Sequence, residues 1–312
     1  MKVSEYLRMW LETQETRLQR STYESNTVYI TKHLIPYFDS IGAELETLKP
    51  MQVQKYINMK LKSGRLDGKQ GGLSAVSVRK HIAVLKQALN DAVLFEYINR
   101  NPANHVKTPR KQGNITERTV MLEVETAQKA LTALKDEKIY PLVVIALLYG
   151  MRKSEVLGLK WDAIDFQSQT IQIKHTVVKA STIQAKDSTK TPSSRRKLPL
   201  LPEVAQMLKE IRQNASNDSV YVFEREDGTP MRPDSVTRSF QRALKRHGLP
   251  SMRFHDLRHS ACSILFDMGW SIEAVKNWLG HSDIETTSNI YMHYKQSRTI
   301  ELGGKLTGVF SV

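Results

Sequence analysis

Residues 101 to 113 read Asn101-Pro102-Ala103-Asn104-His105-Val106-Lys107-Thr108-Pro109-Arg110-Lys111-Gln112-Gly113, with two prolines, a closing glycine and no acid. Proline lacks a backbone N–H and holds the residue before it extended, so no regular helix passes through this stretch. It divides the 312 residues into about 100 before and about 200 after, each of a size that builds its own core. Its uncompensated cations suit a solvated linker, a phosphate backbone, or both.

The two pieces are patterned differently. In the first, Val3, Tyr6, Leu7, Trp10 and Leu11 keep the three-four spacing of an amphipathic helix. A second helix is expected from the hydroxyls of Ser21-Thr22 to Tyr37-Phe38, with Pro36 bending or ending it. Pro50 suits the first turn of a third helix through Met51, Val53, Tyr56 and Ile57. The glycine-dense run from Ser63 to Gly72 reads as an exposed loop, and a long helix follows from Ser74 to Tyr97. In the second piece, helices are expected over Thr126 to Leu134, Tyr140 to Tyr149 (stopped by Gly150) and Ser154 to Leu159. Apolar-polar alternation over Ile164-Asp165 and Gln169 to Val178 predicts strands, with Leu198-Pro199-Leu200 as a partner. Pro202 opens a helix to Ile211, and Pro233 to Tyr294 reads as helix broken at Gly248-Leu249-Pro250, Gly269 and Gly280. The expected fold is mainly α with a small β-sheet: a helical domain over 1–102, a basic linker over 103–115, a second domain over 116–300 and a tail over 301–312.

Lys and Arg number 46 against 32 Asp and Glu, a net charge of +14 that makes polyanions, nucleic acid foremost, the expected partners. The single cysteine, Cys262, excludes an internal disulfide and sits among Ala261, Ile264 and Leu265 as a core thiol. The start Met1-Lys2-Val3-Ser4-Glu5-Tyr6 lacks a signal-peptide pattern, and the longest apolar run, Leu142 to Tyr149, is too short to span a bilayer. A cytoplasmic protein without membrane association is expected.

Several residues could carry chemistry. His255, Arg258 and His259 are spaced to share a helix face, where guanidinium can fork onto phosphate oxygens and imidazole can pass a proton. By itself this is equally an exposed polar face. Arg152 follows Gly150 at a helix entrance, and Glu155 is placed to orient it. Lys190 lies in the polar connection from Lys186 to Lys197, in reach of a leaving oxygen or merely solvated. His281 follows Leu279-Gly280 at a helix junction, and Tyr291 and Tyr294 lie on the next helix. His255 and His259 have the spacing of a metal pair but no third ligand nearby, and neither nucleotide-binding glycine motifs nor a serine-hydrolase elbow is present.

Five segments in order resemble the tyrosine recombinases, the lambda-type integrases, and in particular those of Gram-positive phages and conjugative transposons. They are Tyr149 to Asp162 around Gly150-Met151-Arg152; Thr189-Lys190-Thr191 with Ser194 to Leu200; His255-Asp256-Leu257-Arg258-His259-Ser260; Leu279-Gly280-His281-Ser282; and Thr286-Thr287 to Tyr291-Met292-His293. The match runs from about Glu117 to His293, and the helical first domain looks like the family's core-binding, SAM-like domain. The resemblance implies a C-shaped clamp on duplex DNA. It implies Tyr291 as nucleophile (its Tyr-x-His setting separates it from Tyr294), Arg152 and Arg258 on the scissile phosphate, and His255 and His281 as proton and hydrogen-bond partners. It further implies Lys190 as general acid, Glu155 behind Arg152, and no metal, ATP or cofactor. Lys107, Arg110, Lys111, Arg195 and Arg196 are expected on the DNA backbone. The expected partners are duplex recombination sites, three further copies in a tetramer on DNA, and accessory DNA-bending or excision proteins. The expected setting is the nucleoid of a bacterial or phage-encoded system. The tail positions Leu306, Val309 and Phe310 are expected to dock on a neighbouring copy. The family's frequent N-terminal arm-binding domain has no counterpart here, so a truncated chain is the favoured reading. A cleavage-deficient DNA-binding regulator of the same fold, or a topoisomerase-like enzyme, is the alternative.

Overall fold

The computed structural model describes residues 1–109, 124–179, 183–186, 195–216, 218–280 and 287–288. The chain divides into two compact units, Met1–Asn114 and Ile115–Val312.

The first unit is helical: α1 (Val3–Gln14), α2 (Arg20–Tyr29), α3 (Ile35–Ser40), α4 (Pro50–Ser63) and α5 (Ala75–Leu94). The apolar stripe of α1 is buried, with Val3 and Leu7 fully enclosed against Leu85, Ala88 and Leu89 of α5 in one core cluster. Two polar ties fix the packing: Tyr6 donates to the Ala88 carbonyl (2.7 Å) and the Trp10 indole to Asp91 (2.6 Å). Pro36 neither ends nor breaks the second expected helix. Its missing N–H and bulky ring are absorbed by a π turn, Ile30–Leu34, that joins α2 to α3. α4 begins at Pro50, with the Lys49 N–H capped by the Gln52 side chain (2.8 Å), and α5 is capped by Ser74. The proline-rich stretch is not wholly a free linker. Pro102–His105 forms a 3-10 turn whose Pro102 and Ala103 are buried, because the Asn101 amide bonds to the Lys86 carbonyl (3.0 Å) and Asn90 (2.7 Å) of α5.

The second unit packs α6 (Val124–Ala133), α7 (Tyr140–Leu148), α8 (Lys153–Leu157), α9 (Pro202–Asn214), α10 (Pro233–Arg246), α11 (Asp256–Asp267) and α12 (Ile272–Leu279) around a small sheet. Its antiparallel strands β1 (Ile164–Asp165), β2 (Thr170–Ile173) and β5 (Arg196–Pro199) lie in the order β1-β2-β5, with Ile173 opposite Arg196 and Ile171 opposite Leu198. The long expected strand ending at Val178 is broken at Lys174-His175. Its second half, β3 (Thr176–Lys179), forms a hairpin with β4 (Ile183–Lys186), a strand the alternation did not reveal. A side chain at Gly158 would meet the His175-Thr176 backbone at 2.7–2.8 Å, so a glycine is needed for α8 to pack against β3. α7 is buried on nearly every side, and Cys262 is fully buried in α11. Among the described residues no helix is long and apolar enough to cross a membrane.

Candidate active site

The site starts at the turn between α7 and α8. Gly150 has φ +56°, a left-handed conformation, and a Cβ there would lie 2.0 Å from the Leu279 side chain. Only glycine lets α12 close over this turn while leaving the Gly150 carbonyl aimed at Arg258, whose Nη1 donates to it at 2.6 Å. Two residues on, Arg152 is the N-cap of α8. Its N–H donates to Glu155 Oε2 (3.0 Å), and its guanidinium Nη1 to Glu155 Oε1 (2.6 Å).

Glu155 is the hub. Its carboxylate is 1% exposed and faces three guanidinium groups: Arg152, Arg196 (3.3 and 3.4 Å from Oε2) and Arg258 (4.0 Å from Oε2). Burial favours its protonation, but Arg196, Arg152 and Arg258 outweigh that effect and hold its pKa below the ordinary value. Burial, then the neighbouring Arg152, pushes Arg258 down to about 9, against the pull of Glu155. Three guanidinium groups thus converge on one buried carboxylate. Guanidinium N–H groups gathered in this way suit a ligand with negative oxygens.

Of the polar face expected over His255, Arg258 and His259, Arg258 proves buried, because α11 packs along α7, while His259 is half-buried and His255 exposed. Arg258 and Asp256 are 2% and 1% exposed, and Asp256 accepts from the Arg253 guanidinium (2.9 Å) and backbone (2.7 Å). His255, the N-cap of α11, keeps an exposed surface and meets His259 edge to face with ring centres 5.1 Å apart. Loss of hydration, then the charges of His259, Arg258 and Arg152, lowers His255 to about 4, so it is a neutral imidazole at pH 7.

α12 is held by its aromatic face. Trp278 stacks on Tyr149 (5.9 Å between centres, planes 10° apart) and donates to the Leu148 carbonyl (3.1 Å). Tyr149 in turn accepts from the Leu201 N–H (2.9 Å) and donates to the Pro199 carbonyl (3.2 Å), tying the end of β5 to the same turn. α12 ends at Gly280 with φ +66°, and the Gly280 carbonyl accepts from Arg152 Nη2 (3.4 Å). His281, Lys190, Tyr291 and Tyr294 lie outside the described residues, as do Arg110, Lys111, Leu306, Val309 and Phe310. Of the expected backbone contacts, Lys107 and Arg195 are exposed, and the Lys107 N–H is anchored by the Gln54 side chain (2.8 Å). Arg196 is different: its side chain is 6% exposed and turned onto Glu155. Alternation along β5 carries that signal, since Arg196 shares the inward side with Leu198 while Lys197 and Pro199 face out.

Residues 116–298 match the phage integrase family, and residues 2–61 match its N-terminal SAM-like domain. The chain belongs to the phage integrase family. Its function is that of a tyrosine recombinase, an enzyme of DNA strand exchange that serves a mobile element. It is 28% identical to a tyrosine recombinase XerC-like protein of Caldanaerobacter subterraneus, covering 81% of this chain and 69% of that one. It is 25% identical to the ICEBs1 integrase of Bacillus subtilis, covering 96% and 80%. In fold it is similar to the Tn1549 transposon integrase in complex with transposon right end DNA, with a TM-score of 0.75 at 22% identity over 97% of this chain and all of that one.

Proposed function

We propose that this chain cleaves and rejoins duplex DNA through a 3′-phosphotyrosyl intermediate, with Arg152 and Arg258 holding the scissile phosphate. The observation that carries this reading is the convergence of Arg152, Arg196 and Arg258 on the buried Glu155. Phosphoryl transfer needs charge neutralisation and in-line positioning above all. Guanidinium forks preset by a buried carboxylate supply both without reorganising during the reaction. Tyr291 is the nucleophile: its phenolic oxygen bonds to phosphorus as the bond to the 5′-oxygen breaks, and Lys190 delivers the proton that oxygen takes. Neutral His255, with His281, hydrogen-bonds the phosphate and relays protons. The exchange of one phosphodiester for another keeps the bond energy, so a second 5′-hydroxyl reverses the step with a new partner. No metal or ATP enters the scheme.

The DNA relative supports duplex recombination sites as the substrate, since the Tn1549 integrase structure contains transposon-end DNA. Paired cuts require a tetramer on two sites, assisted by accessory DNA-bending or excision proteins, within the bacterial nucleoid. Lys107, Arg110, Lys111 and Arg195 add contacts to the backbone, and the domains are 1–102, 116–300 and the tail 301–312 around the basic linker.

A nicked suicide duplex carrying the end of the encoding element tests this reading. Wild type is expected to form a denaturation-resistant adduct that Tyr291→Phe cannot form. Binding without an adduct would favour the regulatory, non-cleaving reading. An adduct persisting in Tyr291→Phe would move the nucleophile to Tyr294.

A further inference from the structure

We propose that Lys153 is a positioning residue for Arg152: its ammonium, bonded to Thr237, ties the first turn of α8 to α10 and so fixes the backbone from which the Arg152 guanidinium extends. This rests on the recombinase reading above. As the neighbour of Arg152 in a basic chain, Lys153 would pass for one more cation seeking a phosphate. Its geometry directs it to α10 instead. Lys153 Nζ donates to Thr237 Oγ1 at 2.7 Å, and both residues are half-buried. The Thr237 hydroxyl donates its own proton to the Pro233 carbonyl one turn back (2.9 Å), so its oxygen faces the ammonium as an acceptor. A lysine held here works against two general preferences. Positive charge at a helix N-terminus opposes the helix dipole, and a long side chain loses rotamer freedom when it is fixed. Burial also lowers the Lys153 pKa, with Asp234 in the first turn of α10 pulling the other way.

The bond matters because α8 is short. It spans Lys153–Leu157, little more than one turn, and Arg152 is its N-cap. The Arg152 carbonyl accepts the Glu155 N–H (2.8 Å) and the Val156 N–H (2.9 Å), so the Arg152 backbone moves with the helix. At the C-terminal end, Val156 and Leu157 are buried in the core, and Gly158 sets the helix against β3. At the N-terminal end, Lys153 reaches α10, whose Val236 and Phe240 are buried in the same core. Glu155 thus orients the Arg152 guanidinium, while Lys153 holds the turn that carries it.

Three readouts on the full chain test this role: affinity for the nicked suicide duplex as a function of salt, the single-turnover rate constant of adduct formation at saturating duplex, and the urea midpoint. For Lys153→Met we expect a rate about tenfold lower, the scale of one lost hydrogen bond. Affinity and salt slope should stay at wild-type values, because Lys153 itself holds no phosphate. Thr237→Val should give the same loss, and the double variant should be no slower than either single one, as two groups acting through one bond require. Thr237→Ser keeps the acceptor and should stay within about twofold of the wild-type rate. Should Lys153→Met fail to fold, the comparison of Thr237→Val with Thr237→Ser carries the test. A wild-type rate in Lys153→Met or in Thr237→Val overturns the proposal. So do losses that multiply in the double variant, which would give Lys153 a role apart from Thr237. Weakened binding with a salt slope smaller by about one also overturns it, by making Lys153 a phosphate contact. A lower urea midpoint at an unchanged saturated rate does the same, by reducing the bond to a structural tie. Absence of an adduct with the wild-type chain would overturn the recombinase reading itself, and this proposal with it.

Discussion

At the scale of single residues, Glu155 and Gly150 decide whether the site exists. Glu155 is enclosed among three guanidinium groups, so Glu155→Gln keeps the shape but removes the buried carboxylate they share. Breaking such a cluster costs about 3 kcal/mol or more. Urea titration should show that loss, with sulfate restoring more stability to the variant than to wild type. Gly150→Ala meets two penalties, a left-handed backbone and a Cβ 2.0 Å from Leu279. Together these amount to roughly 2–4 kcal/mol. Because the Gly150 carbonyl also holds Arg258, the fraction that remains folded should form the adduct slowly. A folded, fully active Gly150→Ala would show that the turn does not set the Arg258 position.

At the scale of elements, the site depends on α12 and β5 being fastened to the end of α7. Tyr149 performs both tasks, stacking on Trp278 and bonding to Pro199 and Leu201. Tyr149→Phe keeps the stack and removes the two hydrogen bonds, leaving a Leu201 N–H and a Pro199 carbonyl without that partner. The expected cost is about 1–3 kcal/mol in denaturant unfolding, accompanied by slower adduct formation as β5 and Arg196 loosen. Unchanged kinetics would place the anchoring of β5 elsewhere. Element by element, much was legible in advance: the apolar stripe of α1, the start of α5 at Ser74, and breaks at Gly150, Gly269 and Gly280. The π turn before Pro36 and the strand β4 were not. The first depends on how a helix absorbs a proline under tertiary packing, and the second on pairing with a partner strand, neither of which has a local signature.

At the scale of the whole molecule, the first unit carries a buried titratable group with a pH consequence. His81 is 2% exposed, accepts or donates a hydrogen bond with Tyr56 (2.8 Å), and packs against His33, Tyr29 and the region of Lys60. Burial, then the charges of His33 and Lys60, lowers His81 to about 4. The unfolded chain therefore takes up a proton near pH 6.5 that the folded one refuses until about 4, so stability falls as pH drops through this window. At pH 5 the cost is about 2 kcal/mol for this residue. Thermal melts should fall between pH 7.5 and 5, and His81→Gln should flatten part of that slope. The remaining slope belongs to His33, His255 and His259, whose pKa values are lowered in the same direction. A variant with the full wild-type slope would remove His81 from the account.

The sequence by itself determined the helical first unit, the mixed second unit, the basic character and the segments that identify the family, because these follow from periodicity, charge and local order along the chain. It also paired Arg152 with Glu155, since residues three apart at a helix start are neighbours whatever the fold. Only the tertiary structure decided that Arg258 is buried, that its donor meets the Gly150 carbonyl, and that Arg196 turns inward to the same carboxylate. Those contacts join residues 41 and 108 positions apart. Alternation along β5 marks Arg196 as inward, but which partners Arg196 and Arg258 meet depends on how α8, α11 and β5 pack, which no local stretch of sequence contains.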